Sequence, residues 1–450
     1  MSPMNSNELI TAPILELLKK IAIPASVGFF FNTMYNVVDT FYAGLISTEA
    51  IAALSLSFPI FFLVIAFGSG LGSGATALIS NSLGEGDTQS ASRYAVQSIS
   101  YSFIVAVILS LVGVAAAPFL FGILGAFGEY LVLAMEYIRI IFYGSFLFVL
   151  VFTLNAILNS VGLTKPFRNV LVVGFFANLI LNPWFVFGGF GVPELGIAGI
   201  ALATILIQVF SVWYLITQVL KTGLIAKDFY RDLFPRQKQY KELTVQGLPA
   251  SLAMVLVGVG IFIITFFIST FGQDAVAAYG IATRIEQIFL VPLIGINIAT
   301  LTLVGQNKGA KKHDRILETL RVGRKYGLWV MTFGATIVFT LTRPLVRIFT
   351  QDSNVIEIAI PYLRIAAFMF WAYMLLFLID AAMRGLKRPM FSLWLNLGRQ
   401  IIAPVLVFGI LIYVYDIGLL GIWWGLFIIV WLSALISLFY IESVLKKLSI

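Results

Sequence analysis

A single carboxylate inside an apolar stretch is the residue of this sequence with the clearest potential for chemistry. Asp39 stands among Val37, Val38, Phe41 and Tyr42, in a segment long enough to cross a membrane. A charge there costs roughly 2.5–3.5 kcal/mol at the centre of a span. Such a residue is by default a functional candidate, so we expect Asp39 to hold a proton or a cation. The alternative is a carboxylate that neighbouring amides cap for packing alone.

The polar neighbours of Asp39 along the same segment recur at helical spacing. Asn32, Asn36 and Asp39 fall at i, i+4 and i+7, and Tyr35 precedes Asp39 by four residues. These positions share one face of a helix. Because lipid would leave polar side chains unsatisfied, this face must look into a cavity or onto a polar partner. We expect Tyr35 and Asn36 to surround the carboxylate.

Pro24 lies in the same helix, one turn after the basic pair Lys19 and Lys20. A proline removes a backbone hydrogen bond and can bend a helix. We therefore predict a hinge at Pro24.

Asparagines elsewhere in the chain supply partners for the carboxylate. Asn178 and Asn182 stand at i and i+4, and Pro183 follows them. Asparagines in membrane helices also join helices structurally, at about 0.6 kcal/mol per bond. We predict that this pair faces Asp39 and that Thr204 joins the surrounding shell, although an isolated Thr commonly bonds its own backbone.

Composition defines the class of protein. Of 450 residues, 60% are hydrophobic and 11% are charged, against about 25% charged in soluble domains. The chain has no cysteine and one histidine, which leaves an intramembrane enzyme poorly supported. We expect no catalytic residue, no metal and no cofactor. The net charge of +8 indicates topology and not nucleic-acid binding, because no basic patch with aromatic platforms is visible.

Hydropathy predicts twelve transmembrane spans, each long enough to cross about 30 Å of hydrocarbon. The short connections alternate between basic and mostly acidic. Lysines and arginines accumulate on the cytoplasmic side of membrane proteins, so we expect both termini in the cytoplasm and a place in the plasma (inner) membrane. The predicted spans are 13–44, 50–82, 93–117, 130–159, 169–189, 195–220, 247–270, 275–305, 322–342, 355–383, 390–413 and 417–440.

An internal repeat at an offset of 225 residues organises these spans. PAS at 24–26 recurs at 249–251, Gly84 matches Gly309, and YIRI at 137–140 recurs as YLRI at 362–365. Because each half holds six spans, the halves are parallel repeats, which are typical of transporters that rock two lobes around a central site. We predict an all-α polytopic fold with lobes at 1–220 and 247–450 and a cytoplasmic linker at 221–246.

The second lobe has no counterpart of Asp39, since the equivalent position is Ile264. That asymmetry favours a functional role for Asp39. The polar candidates of the second lobe are Arg284, Glu286 and Asp380. We expect Asp380 to pair with Arg284.

Together these features resemble the multidrug and toxic compound extrusion (MATE) family, over essentially the whole chain. The resemblance rests on the spacing of Pro24 and Asp39, the repeated A-[IV]-A-A opening of spans 2 and 8, and VGQNKGA at 304–310. Asp39 with Asn178, and the lack of an acid in span 7, resemble the DinF-type branch. Some archaeal members have Asp where this chain has Asn182, which argues against sodium here. The resemblance implies two bundles that form an open V.

We predict an efflux transporter that exports amphipathic, often cationic organic compounds by proton-coupled antiport, working as a monomer by alternating access. Sodium-coupled antiport is one alternative. A lipid-linked oligosaccharide flippase of the same superfamily is another, but it would need several cations to hold pyrophosphate. A scaffold or receptor, the remaining alternative, would move no solute.

Overall fold

The computed structural model describes residues 6–126, 128–189, 191–225 and 229–448. Its helices follow the twelve predicted spans, and we number them accordingly. Within the described residues, the only β-type pairing recorded is one isolated bridge between Gly189 and Val192. The spans are Ile14–Ile46 (1), Thr48–Gly84 (2), Thr88–Ile123 (3), Gly128–Tyr143 with Ser145–Ser160 (4), Lys165–Phe187 (5), Gly196–Lys221 (6), Gln237–Ser269 (7), Gln273–Gly309 (8), His313–Thr340 (9), Ser353–Gly385 (10), Met390–Ile412 (11) and Leu419–Leu448 (12).

Length and apolarity support these spans. Of the helices in the described residues, nine are long and apolar enough to cross a membrane, or ten if the bent pair in span 4 is one span. Spans 1 and 9, with 33 and 28 residues, complete the twelve. Two spans are irregular. Span 4 bends by 48° between Tyr143 and Ser145, and span 11 contains π-helical turns at Gly398–Ile402 and Ile410–Val414.

Span 1 is shared between the two hydrophobic cores. Leu17, Leu18 and Ile21 in its first half pack into the core built by spans 7 to 12. Ala43, near its other end, packs into the core of spans 2 to 6. Pro24 is buried between these two halves. Span 1 therefore leaves one lobe and enters the other close to its interior proline.

The lobes meet along a seam with approximate two-fold symmetry, built from residues 225 positions apart. A Cβ on Gly84 would lie 2.0 Å from the Gln306 carbonyl oxygen, and a Cβ on Gly309 would lie 2.0 Å from that of Asn81. Because only glycine leaves room for so close an approach of two backbones, these two glycines let spans 2 and 8 cross. The same symmetry recurs nearer the middle of spans 2 and 8, where Gly70 approaches Ser251 and Gly295 approaches Ser26.

Hydrogen bonds across the seam repeat that symmetry. Asn81 Nδ2 donates to the Gly385 carbonyl at 3.0 Å, and the equivalent Gln306 Nε2 donates to the Ser160 carbonyl at 2.9 Å. Arg384 adds a bond from Nη1 to Ser73 Oγ at 2.8 Å. We call the ends of the spans that carry the lysine-rich connections the basic end. Every hydrogen bond between the lobes that the described residues make lies in the basic half of the molecule, so the lobes are joined at that end.

The segment between the lobes is docked on span 3. Gln97 Nε2 donates to the carbonyls of Asp232 and Phe234, and Tyr240 Oη donates to Ser100 Oγ at 3.0 Å. Residues 237–246, which the sequence places in the linker, continue span 7 as one helix. Residues 226–228 of the predicted linker lie outside the described residues, as do residues 1–5 and 449–450 of the two lobes.

Candidate functional site

Asp39 of span 1 is buried against span 5, and its exposed fraction is 6%. Asn178 and Asn182 each point an amide at the same carboxylate oxygen, with both Nδ2 atoms 2.8 Å from Asp39 Oδ1. Asn182 Nδ2 also donates to Asn178 Oδ1 at 3.1 Å. The two amides are fully buried, so the structure brings together the three residues on which the predicted site depends.

Local sequence explains why these side chains converge. Residues at i and i+4 lie one above the other on a helix, so Asn178 and Asn182 present two amides to the same point. Gly28 brings span 1 close to span 5, because a Cβ there would lie 3.1 Å from Arg168 Cα. This close approach is what allows a short aspartate side chain to reach both amides.

Tyrosines form the rest of the surroundings. Tyr35 Oη donates to Thr204 Oγ1 at 3.0 Å, so the two predicted shell residues bond to each other. Tyr137 of span 4 is also buried, and it lies close enough to Asp39 for the two side chains to interact electrostatically. The sequence analysis missed Tyr137 as a site residue, although its place in the YIRI repeat could have drawn attention to it.

Asn36 is a correction to the predicted shell. Its side chain is exposed and donates to the Asn32 carbonyl at 3.0 Å, one turn back on the same helix. Asn32 is exposed as well. Asp39 and Asn36 differ by about 60° around the helix at 100° per residue, and the packing of span 5 falls on the Asp39 side. The polar stripe therefore divides into a buried carboxylate and an exposed pair of amides.

The electrostatic surroundings of Asp39 are neutral. Among the ion pairs of the described residues none involves Asp39. Its hydrogen-bond donors are uncharged amides. A buried carboxylate without a cationic partner is costly in its charged form, so this one is suited to gain and lose a proton or to meet a cation from the cleft.

Glu286 is the buried carboxyl of the second lobe. It is 5% exposed, and its Oε2 accepts from Tyr362 Oη at 2.8 Å. Tyr362 packs against Tyr279 and Trp423 in an aromatic cluster. Tyr362 is the repeat equivalent of Tyr137, so each lobe places this tyrosine near a buried carboxyl. The carboxyls come from different spans, namely span 1 for Asp39 and span 8 for Glu286.

The predicted pair of Arg284 and Asp380 is wrong. Arg284 is exposed, whereas Asp380 Oδ2 accepts from Arg384 Nη2 at 2.6 Å, one turn along the same helix. Arg384 Nη2 also donates to Asn297 Oδ1 at 3.0 Å. Residues at i and i+4 are neighbours on one helix, so no second helix is needed to bring Arg384 to Asp380. Arg384 is also held by its hydrogen bonds at the lobe seam.

The described residues contain no group of three or more His, Cys, Asp or Glu side chains that could hold a metal ion. The arrangement around Asp39 consists of one carboxylate and two neutral amides, held between spans 1 and 5.

Comparison with known proteins identifies the class. The fold and the site are those of a polytopic membrane protein with two joined lobes and a buried carboxylate in the first. A family model described as MatE matches residues 24–184 and 249–408. The chain belongs to the MatE family. The two matches begin at Pro24 and Pro249, the equivalent prolines of the repeat, and so cover one lobe each.

Known proteins resemble the chain over most of its length. A probable multidrug resistance protein NorM from Thermotoga maritima is 28% identical and covers 96% of this chain and 93% of its own. An FAD transporter from Shewanella oneidensis is 26% identical over 88% of this chain and 87% of its own. A structure described as an outward-facing multidrug resistance MATE family transporter of the MOP superfamily superposes with a TM-score of 0.92 at 25% identity, covering 100% and 99% of the two chains.

These findings confirm the predicted fold class and family. The protein is a multi-pass membrane transporter of the MatE family and not an enzyme. It moves small compounds across a membrane.

Proposed function

We propose that the protein exports amphipathic, often cationic organic compounds in exchange for protons, with Asp39 as the group that carries the coupling proton. The observation that carries this proposal is the burial of Asp39 between two neutral amide donors. Asn178 and Asn182 stabilise the anion without neutralising it, so protonation changes the charge of the site by a full unit. Tyr35 and Thr204 support span 1 beside it.

The same geometry favours a proton over sodium. Sodium is a hard cation that requires several oxygen ligands. At this site both asparagines turn their NH₂ groups toward Asp39, and the Asn178 oxygen is occupied by Asn182. Of the two asparagine oxygens at this site, that of Asn182 has no hydrogen-bond partner among the described residues. The site therefore offers sodium the two carboxylate oxygens of Asp39 and at most the Asn182 oxygen, with a single negative charge. These two or three oxygens do not replace the hydration shell that sodium would lose.

The joined basic end sets the orientation that we propose for this conformation. With the basic connections in the cytoplasm, the lobes are closed toward the cytoplasm and their opposite halves face outward. Both termini then lie in the cytoplasm of a cell whose plasma membrane holds the protein as a monomer. A flippase for pyrophosphate-linked sugars is less well supported, because the donors around Asp39 are neutral amides and not the cations that pyrophosphate would need.

Transport driven by separate gradients tests the proposal. In proteoliposomes we expect a fluorescent lipophilic cation to accumulate in the acidic compartment when a pH gradient is imposed without sodium. An antiported proton moves toward the alkaline side, so the cation moves the other way. Vesicles without protein and vesicles treated with a protonophore serve as controls. Accumulation that follows a sodium gradient at equal pH would overturn the assignment of the proton.

We propose further that Pro24 is the hinge through which Asp39 acts on the lobes. The first half of span 1 is packed into the second lobe and the second half into the first. Loss or gain of the Asp39 charge alters how the second half bonds to span 5. A bend near Pro24 transmits that change to the half that belongs to the other lobe.

Pro24→Ala is expected to slow proton-driven export about tenfold, which corresponds to about 1.4 kcal/mol on the transition between conformations. The alanine restores the backbone hydrogen bond and stiffens the helix. Export rate and spin-label distances between spans 1 and 5 at pH 5 and pH 8 are the measurements. Pro118→Ala, at an exposed proline inside span 3, is the matched control and should export normally. Equal rates in both variants would remove the hinge from the mechanism.

A further inference from the structure

A basic cleft lies at the lobe seam, at the basic end of the molecule. It has a volume of about 460 Å³. Span 2 contributes Leu78 and the turn after span 10 contributes Lys387, while the start of span 7 contributes the rest of the lining: Lys238, Lys241, Glu242, Val245 and Gln246. Both lobes therefore line the cleft.

The charge of the cleft is strongly positive. Lys238, Lys241 and Lys387 make no ion pair within the part of the chain that is described. Lys308 and Arg388 lie close to Lys387 and add to the same field. Two carboxylates face these five cations. Glu85 lies near Lys308, and Glu242 accepts a hydrogen bond from Tyr94. The excess of positive charge calls for an anion from outside the chain.

Lys387 is held at this place by a backbone conformation that disfavours it. Its φ is 58°, in the left-handed region, where a side chain other than glycine costs about 1–2 kcal/mol. The turn is fixed by bonds from Lys387 N to the Arg384 carbonyl at 2.9 Å and from Lys308 Nζ to the Leu386 carbonyl at 2.6 Å. These bonds fix the backbone of Lys387 beside the cleft that it lines.

The lining of the cleft describes the ligand. Leu78 and Val245 give the cleft an apolar side. A phosphate for the lysines and an apolar body for these side chains belong together in the headgroup region of an anionic glycerophospholipid.

We propose that the cleft binds an anionic phospholipid, such as phosphatidylglycerol, and that this lipid stabilises the closed seam. The basic end lies at the membrane surface, where anionic headgroups are attracted by lysines. The Gln246 carbonyl carbon lies 2.9 Å from where a Cβ on Gly74 would stand, so the wall of the cleft is part of the seam. A headgroup bound there contacts both lobes and is released when they part.

Retention of defined lipids by the purified protein tests the proposal. By native mass spectrometry we expect phosphatidylglycerol to be retained in preference to phosphatidylcholine, whose headgroup carries no net charge. The double variant Lys238→Gln with Lys387→Gln should weaken retention about 30-fold. The control double variant Lys165→Gln with Lys221→Gln removes two lysines of the basic end outside the cleft and should retain the lipid as the unaltered protein does.

Competition and conformation complete the test. Inorganic phosphate at millimolar concentration should not displace the lipid, and displacement would reassign the cleft to a free phosphate. Spin labels at the basic ends of spans 2 and 7 should move closer together when phosphatidylglycerol is added. Equal retention by both double variants, or equal retention of phosphatidylcholine, would overturn the proposed site. All measurements are made without substrate or gradient, so their outcome is independent of proton coupling.

Discussion

Asp39→Asn should reduce gradient-driven export to the level of protein-free vesicles, while substrate binding at equilibrium stays within about threefold, or about 0.7 kcal/mol. The asparagine cannot release a proton, so the site stays neutral throughout the cycle. Its Oδ1 can still accept from both Asn178 and Asn182, since these amides donate to one oxygen of Asp39. The fold around the site should therefore persist. Export in proteoliposomes and binding of a fluorescent cation to the purified variant are the measurements.

Asn178→Ala and Asn182→Ala are the matched comparison, because each removes one donor and leaves the carboxylate in place. A hydrogen bond to a charged group contributes about 1.5–3 kcal/mol, so each variant should slow export by about 10-fold or more without abolishing it. A partial loss of export in these two variants, against a complete loss in Asp39→Asn, would distinguish the titrating carboxylate from the asparagines that bond to it. Wild-type rates in Asp39→Asn would make the carboxylate structural and would remove the centre of the proposed mechanism.

Gly309→Ala should open the seam between the lobes. The new methyl carbon would stand 2.0 Å from the Asn81 carbonyl oxygen and 2.9 Å from Glu85 N, so spans 2 and 8 must separate. Overpacking of this kind costs about 1–3 kcal/mol, and the bond from Asn81 to the Gly385 carbonyl would be strained with it. We expect a lower melting temperature, longer spin-label distances across the basic end, and export slowed about tenfold or more.

Gly280→Ala is the control on the same span. A Cβ there meets nothing within 4 Å, and alanine favours a helix over glycine by up to about 1 kcal/mol. This variant should keep its stability and its export rate. If Gly309→Ala matched it in both respects and in label distances, the close crossing of spans 2 and 8 would have no part in closing the basic end.

The seam and the site connect the two halves of the transport cycle. Asp39 lies in the second half of span 1, which packs with the first lobe, and the first half of the same span is packed into the second lobe. In the proposed mechanism, a change of charge at Asp39 in the first lobe is transmitted to the second lobe through this helix. The glycine crossings at Gly84 and Gly309 are contacts that the proposed movement would have to break.

The sequence by itself determined the class of protein, its spans and its repeat. Hydropathy marks each span because a bilayer requires about 20 apolar residues, and an offset of 225 residues relates the halves wherever PAS and YIRI recur. The sequence also singled out Asp39 with Asn178 and Asn182, since intramembrane polar residues are few and helical spacing puts the two amides on one face. These features depend on local periodicity and on the cost of burying polar groups, both of which can be read along a chain.

The tertiary structure decided which polar groups meet. Asn36 and Asp39 share a helix, but the packing of span 5 buries only Asp39, and a rotation of about 60° is too small for periodicity to assign without knowing the neighbour. Asp380 bonds to Arg384 and not to Arg284, because the choice depends on where spans 8 and 10 stand relative to the seam. Tyr137 and Tyr362 approach their carboxyls from other spans. The crossing of span 1 between lobes also depends on packing, since spacing along one helix fixes the face of a residue but not the helix that this face will meet.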